Sequence, residues 1–317
     1  MQTYKTLNKR IETMDLKKEK IYSKRDGLEL ELAILEPSSP PKGIVQISHG
    51  MAEHKERYFD FMKFLSENGY ICVIHDHRGH GKSIKDKKDL GYFYTEDETF
   101  IVDDLYEVTK YIKEKYPNLE MSLFSHSMGT LVARNYLKKY DGEINKIILC
   151  GPPTENKLSS VGIVIAKVLN IFYAKNKPNK ILNQMTFGSF NNGLEIDNAW
   201  ICANEETVKE YNNDELCGYI FTTNGFINLY KLMKEAFSKQ GWNVQNKELK
   251  IFIIAGKDDP VIQNEKKFKA LEEFVKKLGY ENVNSKLYQK MRHEILNEKN
   301  KKIVYNDILD FINKRSK

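Results

Sequence analysis

Short apolar runs alternate with helical patterns in the first half of the chain. Two helices are predicted, Arg57–Asn68 and Thr99–Tyr116, and they end at Gly69 and Pro117, residues that commonly terminate helices. The predicted strands are Leu28–Leu35, Ile44–Ser48, Tyr70–His75, Met121–Phe124 and Lys146–Cys150. This alternation indicates βαβ units around a mostly parallel sheet that has helices on both faces.

The strand pattern stops after Pro152 and Pro153. Residues 154–246 are rich in Asn, Lys and aromatic residues and have helical periodicity. Strands resume at Lys250–Gly256 and Asn284–Tyr288, and a predicted helix follows each of them. We therefore predict an α/β core made of residues 1–153 and 247–317, interrupted by a helical cap insertion at 154–246.

Composition limits the class of protein. The 317 residues are 41% hydrophobic and 30% charged, which is the balance of a globular protein. The 50 Lys and Arg residues exceed the 44 Asp and Glu residues, but no aromatic residues interleave the basic ones. A solubilising role for this charge is favoured over binding of nucleic acid or of anionic lipid. The longest apolar stretch, Val161–Ala174, is too short to cross a bilayer as a helix.

The cysteines and the N-terminal segment bear on location. None of Cys72, Cys150, Cys202 and Cys217 has the paired spacing typical of a metal site, and the first two lie in apolar runs. We interpret them as thiols of a reducing compartment. Residues 1–20 are polar and charged, without the apolar core of a secretory signal. A cytoplasmic location is predicted.

A candidate nucleophile is Ser127. Ser125–Gly129, with the sequence SHSMG, follows a predicted strand and opens a helix, which is the context of a nucleophile elbow. The motif usually begins with glycine, and Ser125 is small enough to preserve the turn. The five residues alone would equally fit an ordinary strand-to-helix turn, but the flanking strand and helix favour the elbow.

A serine nucleophile needs a base and a carboxylate that orients the base, in the chain order serine, acid, histidine. Asp259 is the preferred acid because it lies three residues after the turn glycine of Lys250–Gly256. Asp258 is the alternative, and two loop acids that only cap the next helix are another. His293 is the candidate base because it is the only histidine after His126.

Two backbone N–H groups are predicted to stabilise an oxyanion. Met128 directly follows the nucleophile, and Met51 lies in the loop after an early strand. A further glycine-containing segment, Asp76–Ser83, resembles a phosphate-binding loop but lacks its spacing. We interpret this segment as a structural turn whose Asp and Arg connect neighbouring loops.

Together these motifs resemble the bacterial lysophospholipase and monoacylglycerol lipase group of the α/β-hydrolases. The resemblance covers nearly the whole chain from about Lys20 and departs at Ser125 and at Ala199, where relatives often carry an acidic residue. The departure at Ala199 leaves the substrate preference open. The segments that carry the resemblance are His49–Tyr58, Asp76–Ser83, Ser125–Gly129, Tyr211–Tyr219, Gly256–Val261 and His293–Glu298.

The resemblance implies an α/β-hydrolase fold with a helical cap inserted after the sixth strand. It also implies a serine hydrolase that releases a single long acyl chain from a monoacylglycerol or lysophospholipid through an acyl-enzyme on Ser127, without a metal or an organic cofactor. A peptidase or thioesterase with the same triad is the alternative, and a non-catalytic binding homologue is another. The oligomeric state stays open.

The apolar stretch of the insertion allows three interpretations. Residues 161–173 are apolar on almost every side of a helix. Such a helix is buried, faces an acyl chain, or makes transient contact with a membrane surface. Simple burial is the favoured explanation.

Overall fold

One eight-stranded sheet runs through the computed structural model, which describes residues 16–156, 159–172 and 175–314. The strand order is β1-β2-β4-β3-β5-β6-β7-β8. The first two pairings, β1 with β2 and β2 with β4, are antiparallel, and the later pairings are parallel. The strands are β1 (Leu16–Tyr22), β2 (Glu29–Leu35), β3 (Gly43–Ser48), β4 (Tyr70–His75), β5 (Met121–His126), β6 (Lys146–Cys150), β7 (Lys250–Gly256) and β8 (Asn282–Tyr288).

Every strand predicted from the sequence is present, but β1 was not predicted. Its sequence, LKKEKIY, is mostly charged, and it lies at the edge of the sheet with its residues partly or fully exposed. An edge strand of this kind lacks the apolar pattern of a buried one. Once β1 is counted, the helical insertion follows the sixth strand, as expected.

Helices cover both faces of the sheet. One face holds α1 (Phe59–Glu67) and α9 (Lys301–Asn313), and the other holds α2 (Thr99–Lys115), α3 (Met128–Tyr140) and α8 (Glu265–Lys277). Alternate residues of a strand enter the two separate apolar clusters that result. Because helices cover both faces, every residue of β3 to β6 is buried, and the strands are rich in apolar residues. The predicted fold class is confirmed.

The chain between β6 and β7, residues 151–249, is called the cap segment below. It contains α4 (Ser159–Phe172), α5 (Lys180–Phe187), α6 (Glu205–Asn213) and α7 (Thr223–Phe237). The last of these packs into the core, where Phe226, Ile227 and Leu232 are fully buried. The division of the chain at 153/154 and 246/247 stays a prediction.

One face of α4 is exposed. Val161, Val164, Val168 and Ile171 are between 50% and 77% exposed, whereas Ala166 is buried. The four exposed residues are spaced by three or four positions and therefore share one face of the helix. Simple burial is thus wrong for this face. Tyr173, which was included in the apolar stretch, lies outside the described residues.

No helix in the described ranges is long and apolar enough to span a membrane.

The segment Asp76–Ser83 is a structural turn, as predicted. The Asp76 carboxylate accepts hydrogen bonds from the Lys55 backbone, from the Lys55 ammonium at 2.6 Å and from the Lys82 backbone. The fully buried Arg78 guanidinium binds Asp104 at 2.7 Å and Asp26 at 2.9 Å. These pairs connect the turn with the loop after β1, with the chain after β3 and with α2.

Four buried histidines, His49, His75, His77 and His80, lie in this turn or next to it. The rings of His49 and His77 are 4.5 Å apart between centroids, and those of His75 and His77 are 4.7 Å apart. Burial lowers the pKa of His75 and of His80 to about 3. Neither ring nitrogen of His75 has a hydrogen-bond partner among the described residues. Both imidazoles are therefore neutral at pH 7.

We expect His75 and His80 to make the free energy of unfolding fall at acidic pH. Their folded pKa lies below the unfolded value near 6.5, so only the unfolded chain takes up these protons as the pH falls from about 6.5 towards about 3. Above about pH 6.5 their contribution is complete. Below it, each lowers the free energy of unfolding by up to about 1.4 kcal/mol per pH unit.

Urea unfolding at pH 7.5 and pH 5.0 measures this effect. The variant His75→Leu removes one titrating ring without removing a hydrogen bond from the described residues. Its loss of stability between the two pH values should be smaller than that of the wild type. Equal losses in both proteins would contradict the assignment.

Candidate active site

Ser127 lies on the sharp turn between β5 and α3. Its φ of 50° and ψ of −119° place it in a region that residues other than glycine rarely adopt. The turn is held by hydrogen bonds from the Ser127 N–H to the Cys150 carbonyl at 2.9 Å and from the Thr130 hydroxyl to the Ser127 carbonyl at 2.8 Å. This strand-turn-helix geometry is that of a nucleophile elbow.

The residues on either side of Ser127 are constrained by close packing. A Cβ atom at Gly129 would lie 2.3 Å from the Ser48 carbonyl oxygen, so only glycine lets α3 begin this close to the end of β3. Ser125 occupies the position where the motif usually has glycine. Its buried hydroxyl donates to the Ile148 carbonyl on β6 at 2.9 Å. The substitution of serine for glycine is therefore accommodated without an unpaired polar group.

Two loops at the carboxyl ends of β7 and β8 bring His293 and Asp259 together. The His293 Nδ1 donates to Asp259 Oδ2 at 2.9 Å, and both side chains are buried. The other oxygen of Asp259 accepts the Val261 N–H at 2.8 Å, which fixes the carboxylate. Asp258, the sequence alternative, is exposed. The structure thus pairs His293 with Asp259.

The loop after β3, which contains Gly50 and Met51, lies close to Ser127. A Cβ atom at Gly50 would lie 3.1 Å from the Ser127 Cβ and 2.6 Å from Glu53 Oε1, so glycine permits the close approach. Met51 and Met128 line the same cavity as Ser127 and His293. Both residues that carry the predicted oxyanion donors therefore line the same cavity as Ser127 and His293, while the buried Asp259 contacts His293.

Sequence reasoning did not find the role of the Glu53 carboxylate in this site. Its Oε1 accepts hydrogen bonds from the Gly50 N–H at 2.5 Å and the Tyr58 hydroxyl at 2.9 Å, and it lies 3.2 Å from His126 Nδ1. Burial would raise the pKa of Glu53, but the hydrogen bond from His126 and the charge of Arg57 hold it well below its ordinary value. Glu53 is therefore an anion.

A second acid, Glu294, follows His293 directly. The Arg57 guanidinium binds Glu294 through two nitrogens at 2.7 and 2.6 Å and binds Glu53 at 2.8 Å. Since all three side chains are almost fully buried, these are charge-assisted hydrogen bonds shielded from water. This bridge connects the loop after β3 with the loop that carries His293. The only sequence signal for it was the inclusion of these residues in the two motifs.

A cavity of about 380 Å³ opens onto Ser127 and His293. Its walls come from the loops at the carboxyl ends of the strands and from the cap segment. Trp200 of the cap lies 5.3 Å from the His293 ring between centroids. Apolar side chains of the wall include Leu131, Met185, Phe187, Phe190, Ile201, Leu229 and Met233. A chain of methylene groups fits such a wall better than a polar group does.

The sequence that forms this site matches a known protein family. Residues 39–300 match the family described as serine aminopeptidase, S33. The chain belongs to this family. The matched residues include every predicted site residue, from Met51 to His293.

Individual relatives are lipases and esterases. The monoacylglycerol lipase of Mycolicibacterium smegmatis is 23% identical over 90% of this chain and 93% of its own length. The monoglyceride lipase of Mus musculus is 30% identical over 60% of this chain and 57% of its own. The solved structure of a thermostable carboxyl esterase from Bacillus coagulans in complex with glycerol has a TM-score of 0.85 at 25% identity, covering 95% and 98% of the two chains. The predicted resemblance is confirmed.

The two neighbouring aspartates give a matched test of the site. Asparagine at position 259 would present an amide to His293 Nδ1 and favour the wrong tautomer, so we expect Asp259→Asn to lower kcat by about 10⁴. Asp258→Asn, on an exposed side chain, should leave kcat within a few-fold of the wild type. Hydrolysis of a chromogenic ester measures both, and a larger loss in Asp258→Asn would reverse the assignment.

Proposed function

We propose that this protein hydrolyses the ester bond of a monoacylglycerol or a lysophospholipid and releases one long-chain fatty acid. The observation that carries the proposal is the cavity beside Ser127 and His293, whose wall includes apolar side chains of both the core and the cap segment. The lipases and the esterase among the similar proteins support the same class of reaction. A single acyl chain would lie in the cavity, with its carbonyl at Ser127.

In the proposed reaction, His293 takes the proton of the Ser127 hydroxyl, and the serine oxygen attacks the ester carbonyl. Asp259 holds the His293 ring and stabilises its charged form through the 2.9 Å hydrogen bond. The N–H groups of Met51 and Met128 bind the oxyanion. His293 then gives its proton to the departing alcohol, and a water molecule hydrolyses the acyl-enzyme by the same steps.

A peptidase is the main alternative because of the description of the family. An aminopeptidase must bind the ammonium group of its substrate, usually with a free carboxylate. Two carboxylates, Glu53 and Glu294, line the cavity, but both are already bound to Arg57. This pairing favours an ester of an uncharged or zwitterionic lipid over a peptide with a free amine.

A fluorophosphonate probe tests the proposed nucleophile, and a substrate panel tests the proposed reaction. The probe should label the wild type and leave Ser127→Ala unlabelled. The panel consists of a monoacylglycerol, lysophosphatidylcholine, a short-chain ester, an acyl thioester and an aminoacyl amide. We expect kcat/KM to be highest for the first two. Equal labelling of Ser127→Ala would exclude the nucleophile, and a preference for the amide would favour the peptidase.

We also propose that the protein works in the cytoplasm. All four cysteines, Cys72, Cys150, Cys202 and Cys217, are free and buried thiols. Thiols persist in a reducing compartment, which supports this location.

The exposed face of α4 supports a transient contact with a lipid surface, which would supply the substrate. Two apolar residues of α5, Ile181 and Met185, are also exposed, and Met185 lines the cavity. The exposed Lys167 lies on the same helix as the apolar face. An apolar face accompanied by lysine is typical of helices that lie in the interface of anionic membranes.

Sedimentation with lipid vesicles measures this contact. The double variant Val164→Ser/Ile171→Ser should reduce the bound fraction on phosphatidylserine-containing vesicles at least tenfold, because each lost side chain contributes about 1 kcal/mol or more when buried in lipid. Ile303→Ser, at a residue 54% exposed on α9, is the matched control and should bind like the wild type. Unchanged binding of the double variant would contradict the proposal.

A further inference from the structure

Three side chains that are far apart in the sequence meet between the core and the cap segment. They are His54, from the loop after β3, and Asp214 and Cys217, from the turn after α6. One ligand atom of each, a ring nitrogen, a carboxylate oxygen and a thiol sulfur, lies within 4.8 Å of the other two. His54 Nε2 and Asp214 Oδ2 are 2.9 Å apart.

We propose that His54, Asp214 and Cys217 bind a zinc ion. Imidazole nitrogen, carboxylate oxygen and thiolate sulfur are the three donors that zinc takes in proteins. Three such ligands with water in the fourth position complete a tetrahedron. The mixed set disfavours magnesium and calcium, which take oxygen ligands.

The backbone around the three ligands is already fixed. The Ala52 carbonyl accepts hydrogen bonds from the Gly218 N–H at 3.0 Å and from the Tyr211 hydroxyl at 3.1 Å. The Asp214 side chain accepts the Leu216 N–H, and its carbonyl accepts the Cys217 N–H. The turn is thus held against the loop that carries His54. Zinc binding would therefore cost little conformational entropy of the backbone.

Burial at the site is uneven. The side chain of His54 is 3% exposed, whereas that of Asp214 is 17% exposed and Cys217 is 8% exposed. The ion and its water would therefore enter from the Asp214 side. The nearby Arg57 does not oppose a cation strongly, because its charge is neutralised by Glu53 and Glu294.

Zinc binding changes the positions of protons on two of the three ligands, His54 and Cys217. Before zinc binds, the hydrogen bond to Asp214 requires the His54 proton on Nε2. When zinc binds, the ring exchanges this proton with solvent and carries one on Nδ1 instead, which frees the Nε2 lone pair for the ion. The Cys217 thiol loses its proton to solvent and binds as thiolate, and the Asp214 carboxylate binds as it is. One proton is released for each zinc bound. The hydrogen bond between His54 and Asp214 is replaced by two bonds to the ion.

Titration of the full chain with Zn²⁺ alone, in competition with a chromophoric chelator, tests the proposal. We expect one ion per chain, and a loss of affinity of at least tenfold in each of Cys217→Ser and Asp214→Asn. The matched control Cys202→Ser changes another buried thiol of the cap segment and should bind like the wild type. Wild-type affinity no higher than that of Cys217→Ser would overturn the proposal.

Cobalt provides a second measurement that identifies the ligand. Co²⁺ bound to a thiolate gives a charge-transfer absorption band in the near ultraviolet. The band should be present in the wild type, in Cys202→Ser and in His293→Ala, and absent in Cys217→Ser. Its persistence in Cys217→Ser would place the ion elsewhere and overturn the proposal. Its presence in His293→Ala separates this site from the proposed triad, and circular dichroism checks that each variant is folded.

Discussion

The buried charge of Glu53 is the constraint on which the candidate active site depends. Its carboxylate binds the Gly50 N–H, Arg57, Tyr58 and His126 at once. Most of these partners belong to the chain after β3, which contains a proposed oxyanion donor, whereas His126 is the last residue of β5 and precedes Ser127. Arg57 also binds Glu294 in the His293 loop. An isolated buried charge is costly, so these partners are needed to keep the Glu53 carboxylate in place. The network fixes the two loops and the end of β5 relative to one another without contacting the proposed reacting atoms.

Much of the fold was predictable because buried strands and crossover helices have periodic apolar patterns. The edge strand β1 was not, since its exposed, charged residues carry no such pattern. The exposed face of α4 was misjudged for a related reason. Composition shows that a helix is apolar, but only the positions of its neighbours show which side is covered.

The candidate site likewise has features that the sequence predicts and features that depend on contacts between distant segments. Ser127 and its turn are local in sequence, and the structure places them as the motif predicts. The pairing of His293 with Asp259 rather than Asp258 depends on the exposure of two adjacent side chains, which sequence does not give. The cluster of His54 with Asp214 and Cys217 could not be predicted, because the spacing of cysteines along the chain carries no information on partners from separate segments.

The parallel pairing of β6 with β7 has a consequence for the order in which the molecule is built. Lys146 pairs with Lys250, so β6 and β7 are neighbours in the sheet although the whole cap segment separates them in sequence. Contacts between residues so distant in sequence form slowly, and a chain emerging from the ribosome presents Ser127 long before β7 and β8 exist. The proposed acid and base, Asp259 and His293, lie in the loops after those strands. A nascent chain therefore holds Ser127 without its proposed partners, and we expect it to hydrolyse no ester before β7, β8 and the loops that follow them have been made.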